Sequence, residues 1–268
     1  MKQGLFTIAE NTPLTASVAR LRLRGDTSGV TAPGQFVNIE IPSLYLRRPF
    51  SVCDWDAGNL TVLYETVGKG TEKLFTLPLG TELDLLTGLG NGFDLRCAGP
   101  TPLLVGGGTG LSPLYGLAKR LLEQGAEPRV ILGFRSRDDM FALRSFHALG
   151  LYPSVTTEDG SFGIRGLVTE AMDLPHSYLY ACGPEAMLRA VAGRSAAGAQ
   201  FSFDVRMGCG FGACMGCTKQ TVNGPRRVCK TVRYSERRRS CGTTERHPLW
   251  DRARQPDHSR LRLFRIRP

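Results

Sequence analysis

The first 97 residues alternate apolar and polar positions over short runs, SVARLRLRG, QFVNIEIP, FSVCDWD and NLTVLYETV, separated by Gly, Pro, Asn and Asp. A two-residue period turns one face of each run toward a core and the other toward water, so these segments are predicted as strands. No ten-residue stretch with a 3.6-residue period interrupts them, and so many short strands close most simply as an antiparallel β-barrel. From Pro100 the rhythm changes. TPLLVGGG is an apolar run ending in glycines, PLYGLAKRLLEQG is an amphipathic helix and RVILGFRS is a second apolar strand, together a β-α-β unit. Strands at YPSVTTED and SYLYACG and helices at GLVTEAMD and PEAMLRAVAG continue the alternation, so residues 98–200 are predicted as a doubly wound parallel α/β domain. Residues 201–230 read as a small Cys-rich domain, and in 231–268 hydrophobic periodicity fails.

Composition adds limits. With 268 residues, 41% hydrophobic and 22% charged, the chain is globular and has room for about two domains of ordinary size. No run approaches the roughly 18 apolar residues of a membrane span, and the start MKQGLFTIAENTP lacks the apolar core of a signal peptide. A soluble cytoplasmic protein is expected. The net charge of +10 first suggests a nucleic-acid partner, but 231–268 holds eleven Arg against four acids, a surplus of +7 that leaves +3 for the first 230 residues. The basicity belongs to the tail, so neither a nucleic acid nor a membrane is expected as a partner of the body.

Of the eight cysteines, Cys209, Cys214, Cys217, Cys229 and Cys241 crowd the last quarter of the chain. Cytosolic proteins seldom use such clusters for disulfides, which points to metal or redox chemistry. Cys209-x4-Cys214-x2-Cys217-x11-Cys229 has the C-x4-C-x2-C…C spacing of a plant-type [2Fe-2S] site. Gly208, Gly210, Gly212 and Gly216 suit a backbone that must approach sulfur closely and donate N–H groups to it. Structural zinc is one alternative, although zinc sites usually combine two short C-x2-C pairs and only one is present, and four unligated thiols are a more distant one.

A second signal is Val105-Gly106-Gly107-Gly108-Thr109-Gly110-Leu111-Ser112-Pro113, a glycine turn leaving a strand and opening a helix, where backbone amides and a helix N-terminus can meet a pyrophosphate. Its glycines match G-x-G-x-x-G poorly, since the third falls early. Tyr180-Ala181-Cys182-Gly183-Pro184-Glu185 is a similar strand-to-helix turn at the end of a sheet where such domains collect their ligands; Cys182 taken alone is a small buried hydrophobe. In the barrel half, Arg47-Arg48-Pro49-Phe50-Ser51, Tyr64 and Gly68-Lys69-Gly70-Thr71 offer a guanidinium for phosphate, a hydroxyl and an aromatic face.

Together the series RRPFS, GKGT, GLGNGF, GGGTGLSP, YACGPEAM and CGFGACMGC resembles the ferredoxin-NADP reductase superfamily, and within it the family of electron-transfer subunits of NAD-dependent (class 1B) dihydroorotate dehydrogenases. The resemblance covers residues 1 to 230. It implies three parts: a flavin barrel over 1–97, a nicotinamide domain over 98–200 and a [2Fe-2S] domain over 201–230. Carried over by position, it implies an FAD site at Arg48, Pro49, Phe50, Ser51, Leu63, Tyr64, Glu65, Gly70 and Thr71, with Glu65 departing from a basic residue common there. It implies an NAD site at Gly106, Gly107, Gly108, Thr109, Gly110, Cys182, Gly183 and Pro184, and cluster ligands at Cys209, Cys214, Cys217 and Cys229. The implied function is a relay in which a partner's FMN oxidises dihydroorotate, single electrons cross the cluster, and FAD passes a hydride to NAD⁺, with two of each subunit in a heterotetramer. No residue of this chain is expected to act as a catalytic acid or base.

Two alternatives stand beside it. A flavin and iron-sulfur reductase serving a hydrogenase, a sulfide-linked system or an oxygenase would share fold and cofactors and differ in partner. A nucleic-acid-binding protein with a metal knuckle would account for the tail and the cysteines, but not for two glycine-rich strand-to-helix turns. Members of the resembled family follow the last cysteine with Lys-Asp-Gly-Pro-Val-Phe, whereas here Lys230 leads into an Arg-rich run. One nucleotide lost after the Lys230 codon would account for the departure and make 231–268 an aberrant, disordered basic tail in which Cys241 has no role; the alternative is a genuine basic extension that binds an acidic partner or a nucleic acid.

Overall fold

The computed structural model describes residues 1–195, 198–221, 224–230 and 234–236. Six strands, β1 (Lys2–Pro13), β2 (Val18–Arg24), β3 (Phe36–Ile39), β4 (Arg48–Asp56), β5 (Asn59–Glu65) and β6 (Glu82–Leu89), close an antiparallel barrel in the order β1-β2-β5-β4-β3-β6. The alternation read from the sequence is what closes it. In β2, Leu21 and Leu23 are fully buried while Arg22 and Arg24 are exposed, and in β6 Leu83 and Leu85 point inward between exposed or half-buried neighbours. The inward side chains, with Phe6, Ile8, Val37, Ile39, Val52, Leu60 and Val62, fill a core of their own.

One helix interrupts the strands, contrary to the all-strand expectation for this half. It is α1 (Lys69–Thr76), and only Gly70 and Leu74 are buried in its eight residues. An element that offers one i, i+4 pair to the core has too short a pattern to register as helical periodicity.

The second unit carries β7 (Leu103–Gly107), α2 (Leu111–Glu123), β8 (Arg129–Phe134), α3 (Leu143–Ala148), β9 (Ser154–Thr157), β10 (Ile164–Arg165), β11 (Leu179–Gly183), α4 (Glu185–Arg194) and β12 (Ala199–Phe203). Its sheet runs β10-β9-β8-β7-β11-β12, all parallel. Both faces are covered: Leu104, Leu132 and Tyr180 pack with α2, while Leu103, Val105, Leu179 and Ala181 pack with α4. The strand order reverses between β7 and β11, and such a reversal opens a crevice at the C-terminal strand ends.

GLVTEAMD, expected as a helix, forms only a 3-10 turn over Val168–Ala171. Gly166 in positive-φ backbone precedes it and Pro175 follows. The sheet also runs to Phe203, three residues past the expected boundary; all five residues of β12 are buried, Gln200 and Ser202 among them.

Beyond it, β13 (Thr218–Thr221) and β14 (Gly224–Arg227) pair as a hairpin behind the cysteine loop, and β15 (Tyr234–Glu236) adds antiparallel to β12. The rest of the Arg-rich tail, Cys241 included, lies outside the described residues. Among the described residues no helix is long and apolar enough to cross a membrane.

Candidate functional site

At the strand-order reversal, β7 ends in a 3-10 turn, Gly108–Gly110, that opens α2, while β11 ends beside it with Cys182 in register with Gly106. The glycines serve separate contacts. A Cβ on Gly110 would stand 2.6 Å from the Cys182 carbonyl carbon and 2.7 Å from the Gly183 Cα, both backbone atoms that cannot yield. A Cβ on Gly107 would stand 2.6 Å from Met187 Sδ. The early third glycine thus answers a neighbouring strand end rather than the spacing of a G-x-G-x-x-G turn. Gly106 is buried beneath Leu111 and Leu114, so it seats the helix.

On the barrel side the two arginines separate. Arg47 is held by Glu40 at 2.8 Å and Asp84 at 2.9 Å, while Arg48 has no acidic partner among the described residues. A Cβ on Gly70 would stand 2.8 Å from Arg48 Nε, so this glycine gives the guanidinium its place. Phe50 and Tyr64 meet edge to face with centroids 5.7 Å apart, and the Tyr64 hydroxyl donates to Asn11 Oδ1 at 2.9 Å. Burial pushes the Tyr64 phenol up to about 12, so it remains a neutral donor. Thr71 Oγ1 donates to the Gly68 carbonyl at 3.1 Å and accepts from the Val67 N–H at 3.0 Å, which fixes the start of α1.

These groups face one cavity of about 760 Å³ between the two units. Arg48, Pro49, Phe50, Ser51, Leu63, Tyr64, Glu65 and Thr71 line its barrel wall. Gly107, Gly108, Thr109, Gly110, Cys182, Gly183 and Pro184 line the opposite wall, whereas Gly70 and Gly106 stand behind it. Its volume lies within the usual range for cofactor clefts. The Cys182 thiol is pushed up to about 12 by burial, so it contributes a neutral wall rather than a thiolate.

Sequence reading missed a third stretch of lining: Phe134, Arg135, Asp139 and Glu158 at the C-terminal ends of β8 and β9. Ser136 Oγ donates to Asp139 Oδ2 at 2.8 Å. The available signal was the charged run Arg135–Asp139 after the second parallel strand, some 25–30 residues past the glycine turn, where such folds meet a ribose.

The cavity also reaches Met207 and Val228, the latter directly before Cys229. Here the cysteine loop folds back on itself. The N–H groups of Ala213 and Cys214 point at Cys209 Sγ at 3.2 and 3.4 Å, and those of Cys209 and Gly216 point at Cys214 Sγ at 3.3 and 3.5 Å. The Cys229 N–H reaches Cys217 Sγ at 3.5 Å. Gly210 and Gly212 take positive φ, which two glycines of the motif supply without strain. Arg227 donates to the Gly212 carbonyl and Asn91 to the Lys230 carbonyl, tying the loop to the hairpin and the barrel.

Burial works to raise the Cys209 thiol, but N–H donors from Cys214, Phe211 and Ala213 outweigh it and bring it down to about 6. Burial and the adjoining Cys217 push Cys229 up to about 12. Iron would hold all four as thiolates. Among the described residues no three Cys, His, Asp or Glu side chains converge as a single-ion site. Backbone donors aimed at the sulfurs of Cys209, Cys214 and Cys217, with Cys229 beside Cys217, fit a thiolate-held [2Fe-2S] cluster.

The model of the oxidoreductase NAD-binding domain family matches residues 104–193. A dihydroorotate dehydrogenase B (NAD(+)) electron transfer subunit of Shouchella clausii (strain KSM-K16) is 39% identical over 244 residues, 85% of this chain and 94% of that one. The same subunit of Bacillus mycoides (strain KBAB4) is 40% identical over 228 residues, 81% and 87% of the two chains. Among solved structures, the NADH-dependent reduced ferredoxin-NADP oxidoreductase studied for flavin-based electron bifurcation is 27% identical with a TM-score of 0.77, covering 87% of this chain and 88% of that one. At this identity over nearly the whole length of its relatives, the chain belongs to the family of dihydroorotate dehydrogenase B (NAD(+)) electron transfer subunits.

Proposed function

We propose that this chain carries electrons from the dihydroorotate-oxidising subunit of the enzyme, through a [2Fe-2S] cluster at Cys209, Cys214, Cys217 and Cys229 and an FAD in the barrel cleft, to NAD⁺. The observation that carries the reading is that one cavity is walled by Arg48–Ser51 and Gly107–Gly110 and is also lined by Val228, next to Cys229. Bound FAD exchanges electrons singly or in pairs, which joins a one-electron cluster to an acceptor that takes only a hydride.

The chain's own residues bind, orient and exclude water. Arg48, which has no acidic partner among the described residues, supplies a guanidinium for the flavin nucleotide's phosphates, and Phe50 with Tyr64 forms an aromatic wall for a planar ring. The Gly107–Gly110 amides and the start of α2 receive the pyrophosphate of NAD⁺. Asp139 and Glu158 accept from the hydroxyls of its adenosine ribose and repel a 2′-phosphate, which favours NAD⁺ over NADP⁺. Cys182 and Pro184 close the nicotinamide end.

The partner is the FMN-containing catalytic subunit, in a complex of two copies of each, and the cytoplasm is the compartment where such thiols stay reduced. The test is the visible spectrum of anaerobically purified protein before and after NADH, with iron and acid-labile sulfide counted on the same sample. Flavin and cluster bands that both bleach, and dihydroorotate-driven NAD⁺ reduction once the partner is added, are expected. A colourless zinc protein would overturn the reading, and a coloured protein inert with that partner would assign it to another redox system.

A further inference from the structure

Asn38 is the middle of a strand whose interior-facing neighbours, Val37 and Ile39, fill the barrel core. Its own side chain points the other way, and is 1% exposed. That outer face also carries Phe36, which packs in the same apolar cluster as Cys217, Val228 and Cys229. Against this apolar surround Asn38 Nδ2 donates to the Cys209 carbonyl at 2.9 Å, a contact between residues 171 apart in sequence. Gly210 is shaped to the contact: it has positive φ, and a Cβ there would stand 2.6 Å from Asn38 Nδ2.

Asn38 Oδ1 is buried and has no hydrogen-bond partner among the described residues. Burying an unpaired amide oxygen carries a desolvation cost that a leucine of similar size would avoid. Packing therefore does not account for an asparagine here, whereas its donor does. The opposite residue on β4 is Pro49, in the segment that walls the flavin cleft, so Asn38 stands one strand from the flavin side and one hydrogen bond from the first cluster cysteine.

We infer that Asn38 is a positioning residue that clamps the cysteine loop onto the flavin barrel and, through the Cys209 peptide, sets the cluster's reduction potential. The inference rests on the cluster proposed above. The physical route is short. In a trans peptide the C=O and the next N–H point in opposite directions, so pinning the Cys209 carbonyl to the barrel turns the Gly210 N–H away from it and fixes the dihedrals that aim the Ala213 and Cys214 amides at Cys209 Sγ. Donors held on a thiolate favour the more negative, reduced cluster. Freeing the carbonyl lets those donors wander, and the potential falls.

The test compares wild type with Asn38→Leu, Asn38→Ser and Asn38→Gln, purified anaerobically with their catalytic partner. Iron and sulfide counts on wild type come first: if these are absent the cluster assignment itself fails, and that failure is read separately. With the cluster present, the ratio of reduced to oxidised cluster by electron paramagnetic resonance at a fixed NADH:NAD⁺ ratio is expected to drop roughly tenfold in Asn38→Leu, the equivalent of one buried hydrogen bond. Flavin content and NADH-ferricyanide activity should stay at the wild-type level. Asn38→Ser, whose hydroxyl is too short to reach the carbonyl, should match Asn38→Leu and serves if the leucine variant does not fold; Asn38→Gln, which keeps an amide donor, should recover part of the ratio. An unchanged cluster potential in a folded Leu or Ser variant overturns the inference, as does a Gln variant no better than Leu.

Discussion

Lys119 on α2 places its Nζ 3.0 Å from both carboxylate oxygens of Asp54 on β4, a two-pronged bond between the unit that carries the Gly107–Gly110 turn and the barrel strand that walls the cleft. Beside it α2 lies almost on the barrel backbone, since a Cβ on Gly116 would stand 2.6 Å from the Cys53 carbonyl oxygen, and Arg120 sits over the Trp55 ring at 4.7 Å.

The two kinds of contact between α2 and the barrel should differ in weight. The Lys119–Asp54 pair is about 30% exposed, so Lys119→Met should lower stability by less than about 1 kcal/mol. Gly116→Ala forces a methyl against a carbonyl that cannot move aside, and should lose about 1–3 kcal/mol. Urea unfolding followed by flavin fluorescence ranks them; a reversed order would mean that charge rather than close packing holds the domains.

Gly110→Ala tests the turn at the sheet's reversal. The added methyl meets the backbone of Cys182 and Gly183, so β11 and the glycine turn must part where the pyrophosphate would bind. Flavin reduction by NADH should slow by about tenfold or more in KM terms, about 1.4 kcal/mol of lost binding, while photoreduction of the flavin is unaffected. Stopped-flow absorbance separates the two.

Arg48→Ala should release flavin. A guanidinium with no acidic partner among the described residues is available to phosphate, and charge-assisted hydrogen bonds contribute about 1.5–3 kcal/mol, so FAD affinity should weaken by about 10- to 100-fold. Arg47→Ala, which breaks pairs to Glu40 and Asp84 instead, should leave affinity within about threefold, the effect of partly exposed ion pairs. Fluorescence of flavin released on dilution reads both, and equal losses would contradict the division of labour.

Alkaline stability should carry the mark of a buried thiol. Burial pushes Cys53 up to about 12, above its ordinary value of 9.0. Between those limits the folded state keeps a proton that the unfolded chain has released, so its contribution is whole below pH 9 and is lost as pH rises toward 12. Cys53 should steepen the decline by up to about 1.4 kcal/mol per pH unit. Unfolding free energies at pH 8, 9.5 and 10.5 should fall less steeply in Cys53→Ala than in wild type; parallel slopes would count against a protonated, buried thiol.

The barrel was legible because its strands repeat every two residues, and so were β7, α2, β8, β11 and α4, whose apolar runs end in glycine or begin a helical stripe. The 3-10 turn at Val168–Ala171 was not, because a buried four-residue turn has the same apolar positions as the start of a helix and differs only in where the chain must go next. β12 ran past the expected boundary because its alternating polar residues, Gln200 and Ser202, are buried in the tertiary structure, which the run AQFSF does not reveal.

By itself the order of residues determined the cysteine spacing, the two glycine turns and the types of most elements, all of which depend on neighbours a few positions apart. Only the tertiary structure decided that Arg47 is tied to Glu40 and Asp84 while Arg48 is left for the cleft, that Gly110 is required by the backbone of Cys182, and that Asn38 reaches Cys209. Each of those depends on which strand closes beside which. Barrel closure and the reversal between β7 and β11 bring together residues tens to hundreds of positions apart, and a contact of that span leaves no periodic trace along the chain.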